Sequence, residues 1–385
     1  MLKVFLEEFE PGRINGNNDI NKLVNRVVFD HDLIENEQFD LYIIAAEDFK
    51  QAEGEKNNRF QSNVIRQKLY ELVAPWKSVK IADLGNLIDM GEEKNLENLS
   101  SILAEVLQKK GTVILLGNAQ FFAYAQYLAY VKLQKHVQMV LADEYVKLED
   151  YMERFDNNSY LTKTFISEPN FLFSFSLLGY QSYFLHPKYI DTLEKLSFNT
   201  YRLGELRQDF KEAEPIVRDA DMLSFNLNSL KSGDALGVNE PTPNGFTGEE
   251  ACAVCRYAGL SDKLSSISIF EYNKSRDTDA QTAMLAAQMC WYFIEGFYNR
   301  KNDYPEKENM DNFIQYMVTN ETLDRDIVFW KSKKSGRWWI QHYEEPAEKF
   351  SQHKTIPCSY NEYLMACQGE IPEKFFNARK RMGFD

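Results

Sequence analysis

The sequence predicts an α/β protein in which helices cover both faces of a doubly wound, mostly parallel sheet. From residue 41 to about 300, short apolar runs alternate with amphipathic stretches, which is typical of a parallel sheet flanked by helices. An open sheet fits this alternation better than a closed barrel. About eight runs have the length and composition of strands, namely residues 41–46, 79–84, 112–116, 137–142, 171–178, 200–203, 222–227 and 266–270.

Amphipathic patterns between these runs predict the helices. Residues 64–73 and 96–107 have apolar side chains at three- and four-residue spacing, and residues 282–297 form the most helical segment. Asp277 and Asp279 precede that segment, where acidic side chains favour a helix start. We interpret these two residues as helix-capping groups rather than as acid/base catalysts.

The chain divides by its character into a main α/β domain at residues 1–300 and a C-terminal extension at residues 301–385. Within the extension, two aromatic β-type runs flank a Ser-Gly turn in residues 327–340, which predicts a hairpin. Its most prominent side chains are Trp330, Arg337, Trp338 and Trp339. One interpretation packs the tryptophans onto the main domain, and a second makes these residues a surface for a protein partner.

Charge and hydropathy exclude several classes of protein. The formal net charge of -14 disfavours binding to nucleic acid or to an anionic membrane surface. No segment reaches the roughly 20 apolar residues of a membrane span, and acidic residues interrupt the N-terminus before any signal-like apolar run. We therefore predict a cytoplasmic protein with no membrane and no nucleic-acid partner.

Five cysteines without an export signal make a disulfide framework improbable. Cys252 and Cys255 have a C-x-x-C spacing, but the second pair of ligands that a zinc site needs is missing from the pattern. We interpret both as small buried apolar residues of a helix.

Four segments in order resemble the motifs of the arginase, agmatinase and formimidoylglutamase superfamily, with formimidoylglutamase the most similar. Val113-Ile-Leu-Leu-Gly-Asn-Ala-Gln-Phe stands where the family has Gly-Gly-Asp-His-Ser after a strand, and Asp143-Glu-Tyr-Val-Lys stands where it has Asp-Ala-His-x-Asp. Ser224-Phe-Asn-Leu-Asn matches the strand that ends in Asp-x-Asp, followed by a similar loop at residues 237–250. Glu271-Tyr-Asn-Lys matches the last motif, Glu-Val-Asn-Pro.

The resemblance covers roughly residues 40 to 300 and implies an arginase-like three-layer αβα fold. It also implies two manganese ions, held in the family by two His and four Asp, that activate a bridging hydroxide. Carried over position by position, those six ligands fall on Ala119, Asp143, Tyr145, Lys147, Asn226 and Asn228. Asp143 alone remains a carboxylate, so we predict that no metal cofactor is retained.

The resemblance assigns Glu271 to the position that binds the guanidinium or formimino end of a substrate. Glu271 could therefore belong to a pocket for a cationic ligand, or it could pair with Lys147, whose ammonium would lie where the family has a metal. Our hypothesis is that Lys147 is neutralised by Asp143, by Glu271 or by both.

Two classes of function follow from the sequence. The first is a pseudoenzyme, in which the scaffold binds a protein partner or a small cationic ligand. The second is a hydrolase of linear amidine or guanidino C–N bonds, such as that of formimidoylglutamate, that uses an altered site. Family relatives form trimers or hexamers, so the resemblance also implies a homo-oligomer.

Overall fold

The computed structural model describes residues 2–12, 19–50, 60–76, 78–150, 152, 154–320, 325–342 and 344–384. Its strands, β1 to β14 in chain order, are Leu6–Glu7, Val27–Val28, Leu41–Ala46, Ile81–Leu87, Thr112–Gly117, Val137–Ala142, Leu172–Tyr180, Asn199–Arg202, Met222–Asn226, Ser266–Phe270, Phe313–Asn320, Arg325–Ser332, Trp338–Gln341 and Thr355–Cys358. Its α-helices, α1 to α13, are Leu2–Phe5, His31–Asn36, Asn63–Glu71, Glu92–Gln108, Phe122–Lys132, Tyr160–Ile166, Pro187–Lys195, Leu203–Leu206, Ala213–Arg218, Gly248–Leu260, Gln281–Tyr298, Tyr360–Cys367 and Glu373–Met382.

The first ten strands form one sheet in the order β1-β4-β3-β5-β10-β9-β6-β7-β8, and β2 also pairs with β4. Among the described residues of this sheet, only β1 runs antiparallel to its neighbour, and the other pairings are parallel. Strands β3, β5, β6, β9 and β10 are buried along their whole length. Continuous burial explains why the sequence shows unbroken apolar runs here instead of alternation.

Two apolar cores lie on opposite faces of this sheet, which gives the three-layer αβα arrangement. Helices α3, α9, α10 and α11 contribute to one core, and α4, α5, α6 and α7 contribute to the other. Helices α10 and α11 approach closely at Gly259 and Gly296, where an added Cβ would lie 2.1 Å and 2.4 Å from backbone carbonyl oxygens of the opposing helix. Glycine is therefore required where these helices cross.

The predicted α/β class and the eight predicted strands are confirmed: three strands have the predicted ends, and the ends of the other five shift by at most three residues. The sequence pattern missed β1 and β2, because two-residue strands are too short to show a period. Asp277 accepts hydrogen bonds from the backbone N–H groups of Thr282 and Ala283, so its predicted capping role is confirmed. Cys252 and Cys255 are buried free thiols on α10, as expected.

The C-terminal residues form a second, antiparallel sheet with the order β11-β12-β13-β14. The predicted hairpin is the β12–β13 pair, in which Trp330 lies opposite Trp339 and Lys331 lies opposite Trp338. Helices α12 and α13 cover one face of this sheet around Phe329 and Phe375. No helix in the described ranges is long and apolar enough to cross a membrane.

The prediction of a partner surface on the hairpin is wrong for its two adjacent tryptophans. Trp338 and Trp339 are buried, and the Trp339 ring lies 4.4 Å from the Arg218 guanidinium of the main sheet's α9. Arg337 forms an ion pair with Glu214 at 3.1 Å, so it also faces the main domain. Trp330 is half-buried, and its Nε1 donates to Gln341. These contacts support the alternative interpretation, in which the tryptophans pack inside the molecule.

Candidate functional site

The four motifs meet because their strands are neighbours in the sheet. Strands β5, β10, β9 and β6 lie side by side in that order and run parallel. Their carboxyl ends therefore lie at one edge of the sheet, where ligands bind in open α/β folds. Ala119 follows β5, Glu271 follows β10, Asn226 ends β9, and Asp143 follows β6.

A cavity of about 520 Å³ opens at this edge of the sheet. Most of the side chains singled out by the resemblance line it: Asp143, Tyr145, Lys147, Asn226, Asn228 and Glu271. Among the described residues, its acidic side chains outnumber its basic ones by six to three: Asp48, Glu92, Asp143, Asp156, Glu240 and Glu271, against Lys50, Lys147 and Arg154. The charge of the walls favours a cationic ligand over an anion.

Glu271 is a buried carboxylate, 3% exposed, on which the hydrogen bonds of the site converge. Its Oε1 accepts hydrogen bonds of 2.7 Å from the Gln120 backbone N–H and from Asn157 Nδ2. Its Oε2 accepts from Asn239 Nδ2 at 3.0 Å and from Asn228 Nδ2 at 3.5 Å. A carboxylate has about four acceptor sites, so these four donors occupy Glu271 fully.

These donors come from separate parts of the chain. Gln120 lies between β5 and α5, Asn157 between β6 and α6, and Asn228 and Asn239 between β9 and α10. Glu271 itself has a φ of 70°, in the left-handed region that costs a non-glycine residue on the order of 1 kcal/mol or more. The surrounding hydrogen bonds thus hold together three loops and a strained residue.

Asp143 is the second buried carboxyl group, and it is held by Asn226. Asn226 Nδ2 donates to Asp143 Oδ2 at 2.8 Å, and the backbone N–H of Glu144 donates to Oδ1 at 2.7 Å. Two of its roughly four acceptor sites are therefore filled by these bonds. Asp143 retains capacity to accept from a ligand in the cavity.

Backbone contacts fix the orientation of the two asparagine amides. The backbone N–H of Asn228 donates to Asn226 Oδ1 at 2.8 Å, and that of Glu240 donates to Asn228 Oδ1 at 3.0 Å. Because an N–H group can only donate, the atom facing it must be the amide oxygen. The amide NH2 groups therefore point at Asp143 and Glu271.

Burial dominates the electrostatics of the carboxyl groups. It raises the pKa of Asp143 well above its ordinary value, although the hydrogen bond from Asn226 acts in the opposite direction. Burial likewise raises the pKa of Glu271, against the hydrogen bonds from Asn239, Gln120 and Asn157. The neighbouring Glu144, 1% exposed, has its pKa raised to about 7 by burial. A cation that entered the cavity would therefore favour ionisation of these groups.

The remaining three positions assigned by the resemblance have diverse surroundings. Ala119 is fully buried in the apolar core on the α5 side of the sheet and offers no ligand atom. The Tyr145 hydroxyl donates to Glu240 Oε2 at 2.7 Å, and burial raises the pKa of that phenol. Lys147 lies half-buried in the cavity wall, with its Nζ 5.2 Å from the centre of the Tyr145 ring.

The hypothesis that Lys147 is neutralised by Asp143 or Glu271 is wrong. Within the described ranges Lys147 forms no ion pair with either carboxylate, and its ammonium lies near the Tyr145 ring instead. The other two cations of the cavity do form ion pairs, Lys50 with Glu92 at 2.7 Å and Arg154 with Asp156 at 3.1 Å. Glu271 needs no ammonium because four neutral N–H donors already satisfy it.

Sequence reasoning missed most of these amide donors. Gln120 donates to Glu271 through its backbone N–H, which every residue except proline carries, so its residue type gave no signal. Asn157 and Asn239 lie in irregular loops, where no periodic pattern indicates the direction of a side chain. Within the described ranges, no group of three or more His, Cys, Asp or Glu is arranged to hold a metal ion.

The fold and the position of the cavity define an αβα protein with its site at the carboxyl edge of a parallel sheet. The family model described as arginase family matches residues 42–295, which is more than half of the chain. The protein therefore belongs to the arginase family.

Formimidoylglutamases are among the proteins that are similar to this chain. The chain is 24% identical to that of Vibrio cholerae over 264 residues, which are 62% of this chain and 77% of that protein. A match to the Vibrio vulnificus formimidoylglutamase has 33% identity over 94 residues, but it spans only 23% of this chain and 28% of that protein.

A solved structure confirms the fold. The structure of formimidoylglutamase from Bacillus subtilis superposes with a TM-score of 0.65 at 18% sequence identity, and the match covers 76% of this chain and 97% of that chain. At this identity the likeness establishes the fold only. The protein is thus a formimidoylglutamase-like member of the arginase family.

Proposed function

We propose that the protein is a pseudoenzyme of the arginase family whose cavity binds a small cationic ligand without a metal ion. The observation that carries the proposal is the orientation of Asn226 and Asn228. Their amide NH2 groups point at Asp143 and Glu271, and their oxygens, the only atoms of these side chains able to bind a metal, accept from backbone N–H groups.

The residues of the site do not fit a pair of manganese ions. Between two carboxylates a divalent cation would be required to offset their repulsion, and here an amide hydrogen bond of 2.8 Å joins Asn226 to Asp143 instead. Ala119 supplies no donor atom, and Tyr145 donates its hydroxyl to Glu240. These hydrogen bonds support an arrangement of the sheet edge that needs no metal ion.

The ligand class follows from the charge and from the free acceptor sites. Glu271 is saturated by four donors. Glu92 and Asp156 form ion pairs with cations of the cavity itself. The acids that remain available to a ligand cation are Asp48, Asp143 and Glu240. Glu240 is exposed and accepts from Tyr145. We therefore assign the contact with the cation to Asp143 and propose that Glu271 is a positioning residue.

The test measures metal, turnover and cation binding on the full chain. Protein incubated with excess manganese and then desalted is analysed for metal, and formimidoylglutamate hydrolysis is assayed in parallel. Calorimetric titration with methylguanidinium and butylammonium, against acetate, measures binding. We expect less than stoichiometric metal, no turnover, and binding of the cations alone.

The alternative class is a hydrolase of amidine or guanidino C–N bonds, and stoichiometric manganese with turnover of formimidoylglutamate would establish it. The variant Asp143→Asn distinguishes cation binding in the cavity from attraction of the cation by the charge of the protein surface. The substitution should abolish cation binding, whereas Asp150→Asn at an exposed position should leave it unchanged. Equal loss in both variants would contradict a role for Asp143.

A further inference from the structure

Lys147 is a cation of the cavity wall that lacks an ion pair. Lys50 and Arg154, the other two cations among the described residues of the cavity, have side chains that are 74% and 82% exposed, and each is paired with a carboxylate. Lys147 is half-buried, yet its ammonium forms no ion pair within the described part of the chain. Because water solvates a half-buried ammonium less completely than an exposed one, the cation with most need of an anionic partner is the one without it.

The ring of Tyr145 is not a substitute for that partner. The Lys147 Nζ lies 5.2 Å from the ring centre, a distance at which the face of the ring attracts the positive charge but offers no acceptor oxygen. The Tyr145 hydroxyl itself donates to Glu240. An ammonium has three N–H donors, and within the described ranges those of Lys147 form no hydrogen bond. The ammonium is therefore open to an anionic group in the cavity.

Asp143 offers the complementary charge in the same cavity. About two of its four acceptor sites are filled, by Asn226 and by the backbone N–H of Glu144. Asp143 and Lys147 both line the cavity, and they form no ion pair with each other. A carboxylate with open acceptor sites and an ammonium with open donors thus stand apart in one cavity, which fits a ligand that carries both charges.

We propose that the ligand of the cavity is a small zwitterion, whose cationic group binds Asp143 and whose carboxylate binds Lys147. The inference rests on the proposed function, because it adds an anionic group to the cation that Asp143 binds. In the resemblance, position 147 carries a metal-binding Asp, so an anion-binding group at this position is a property of this chain alone. The methylene groups between the two charges have apolar neighbours in the cavity wall: Phe121, Leu141, Val146, Phe155 and Leu161.

The charge of the cavity walls favours a carboxylate over a phosphate group as the anionic end. Six acidic side chains against three basic ones line the described part of the cavity, so each negative charge on a ligand is repelled. A carboxylate carries one such charge, which the ligand's own cation offsets, whereas a phosphate group carries about two. Joining both groups in one molecule also makes the second contact intramolecular, so a zwitterion binds better than two separate ions.

A matched pair of probes tests the inference, because 5-aminovalerate is butylammonium with a carboxylate added to its terminal carbon. Calorimetric titration of the full chain should give a Kd for 5-aminovalerate at least about threefold below that of butylammonium. Valerate, which lacks the ammonium, should bind at least about tenfold more weakly than 5-aminovalerate. Butylammonium binding as tightly as 5-aminovalerate, or more tightly, overturns the inference.

Variants of Lys147 test the carboxylate contact directly. Lys147→Met should raise the ratio of the Kd of 5-aminovalerate to the Kd of butylammonium at least about tenfold, because only the first probe has a carboxylate to lose its partner. Lys147→Arg keeps the charge and should keep this ratio within about threefold of the native value. Lys50→Met removes an ammonium of the same cavity that is already paired with Glu92, and it should also keep the ratio within about threefold. An unchanged ratio in Lys147→Met, or an equal rise in Lys50→Met, overturns the inference.

The same titrations distinguish this inference from the proposed function. If butylammonium binds and Asp143→Asn abolishes its binding, the proposed function stands even where 5-aminovalerate gains nothing from its carboxylate. Absence of binding by either probe overturns the proposed function and the inference with it. The comparison of the two probes on the native chain needs no substitution, so it remains decisive if a variant unfolds, which circular dichroism and thermal melting detect.

Discussion

Asn226 Nδ2 lies 2.8 Å from Asp143 Oδ2, and the backbone N–H of Asn228 donates a hydrogen bond to Oδ1 of the same Asn226 side chain. The pair is buried, with both residues under 8% exposed. In the resemblance to the arginase family, both positions correspond to metal-binding Asp. A single exchange of a carboxylate for an amide therefore converts a repulsive pair into a hydrogen bond.

Asn226→Asp should reverse this effect. A second carboxylate at 2.8 Å would either remain charged against Asp143 or share a proton with it, and we expect a loss of about 1–3 kcal/mol in the free energy of unfolding at pH 8. The loss should shrink toward pH 4, where one member of the pair is protonated. Urea denaturation at both pH values measures it.

Asn36→Asp is the matched control, because Asn36 is exposed at the end of α2. It should change the free energy of unfolding by less than about 0.5 kcal/mol at either pH. If Asn226→Asp behaved in the same way, the hydrogen bond to Asp143 would have no role in holding the sheet edge.

Glu271→Gln should destabilise the protein although the two side chains have the same size. Two of the four donors that converge on Glu271 would face an NH2 group, which leaves buried N–H groups without an acceptor. We expect a loss of about 2–4 kcal/mol in the free energy of unfolding. Glu240→Gln, at an exposed carboxylate that accepts only from Tyr145, is the control and should cost less than 1 kcal/mol or so. Equal effects at both positions would argue against a special role of Glu271 in holding the loops of the site together.

The sequence predicted the class of fold and the place of the site because both depend on local patterns. Buried parallel strands appear as unbroken apolar runs, and the motifs follow strand ends that the sheet order makes adjacent. The direction of Lys147 could not be predicted, since it depends on the path of the irregular loop after β6. The burial of Trp339 against Arg218 also depends on how the two sheets pack, which no local pattern records.

Lys147→Met should strengthen cation binding in the cavity. The Lys147 ammonium contacts the Tyr145 ring and no carboxylate, so it adds positive potential to the site without neutralising an acid. Its removal should lower the Kd of butylammonium about three- to tenfold at low ionic strength, and added salt should reduce the difference. Lys135→Met, at an exposed position before β6, tests for the general effect of losing one charge. Unchanged affinity in Lys147→Met would show that the ligand binds elsewhere.

The buried carboxyl group of Glu47 should contribute one component of the pH dependence of stability. It is 2% exposed, Ser62 donates to Oε1 through its N–H and its hydroxyl, and burial raises the pKa of Glu47 to about 7. The stability that this raised pKa contributes is complete below the unfolded pKa near 4.5 and is lost as the pH rises through about 7. Compared with Glu47→Gln, the native chain should therefore lose about 3 kcal/mol between pH 4 and pH 8. Parallel urea titrations with the same pH slope in both chains would contradict this assignment.

His342 should contribute a pH dependence of stability with the opposite sign. It is fully buried, stacks on Phe375 with ring centres 4.8 Å apart, and neither of its ring nitrogens has a hydrogen-bond partner among the described residues. Burial, with Arg379 and Arg381 nearby, lowers the pKa of His342 to about 3.

Below pH 6.5 the unfolded chain therefore binds a proton at His342 that the folded chain does not, and stability falls as the pH falls toward 3. His342→Phe keeps the ring stack and removes the titration. Between pH 7 and pH 4 the native chain should lose about 3 kcal/mol more than the variant. His186→Phe, at an exposed histidine before α7, should retain the native slope, and a variant at His342 with that same slope would place the acid sensitivity elsewhere in the fold.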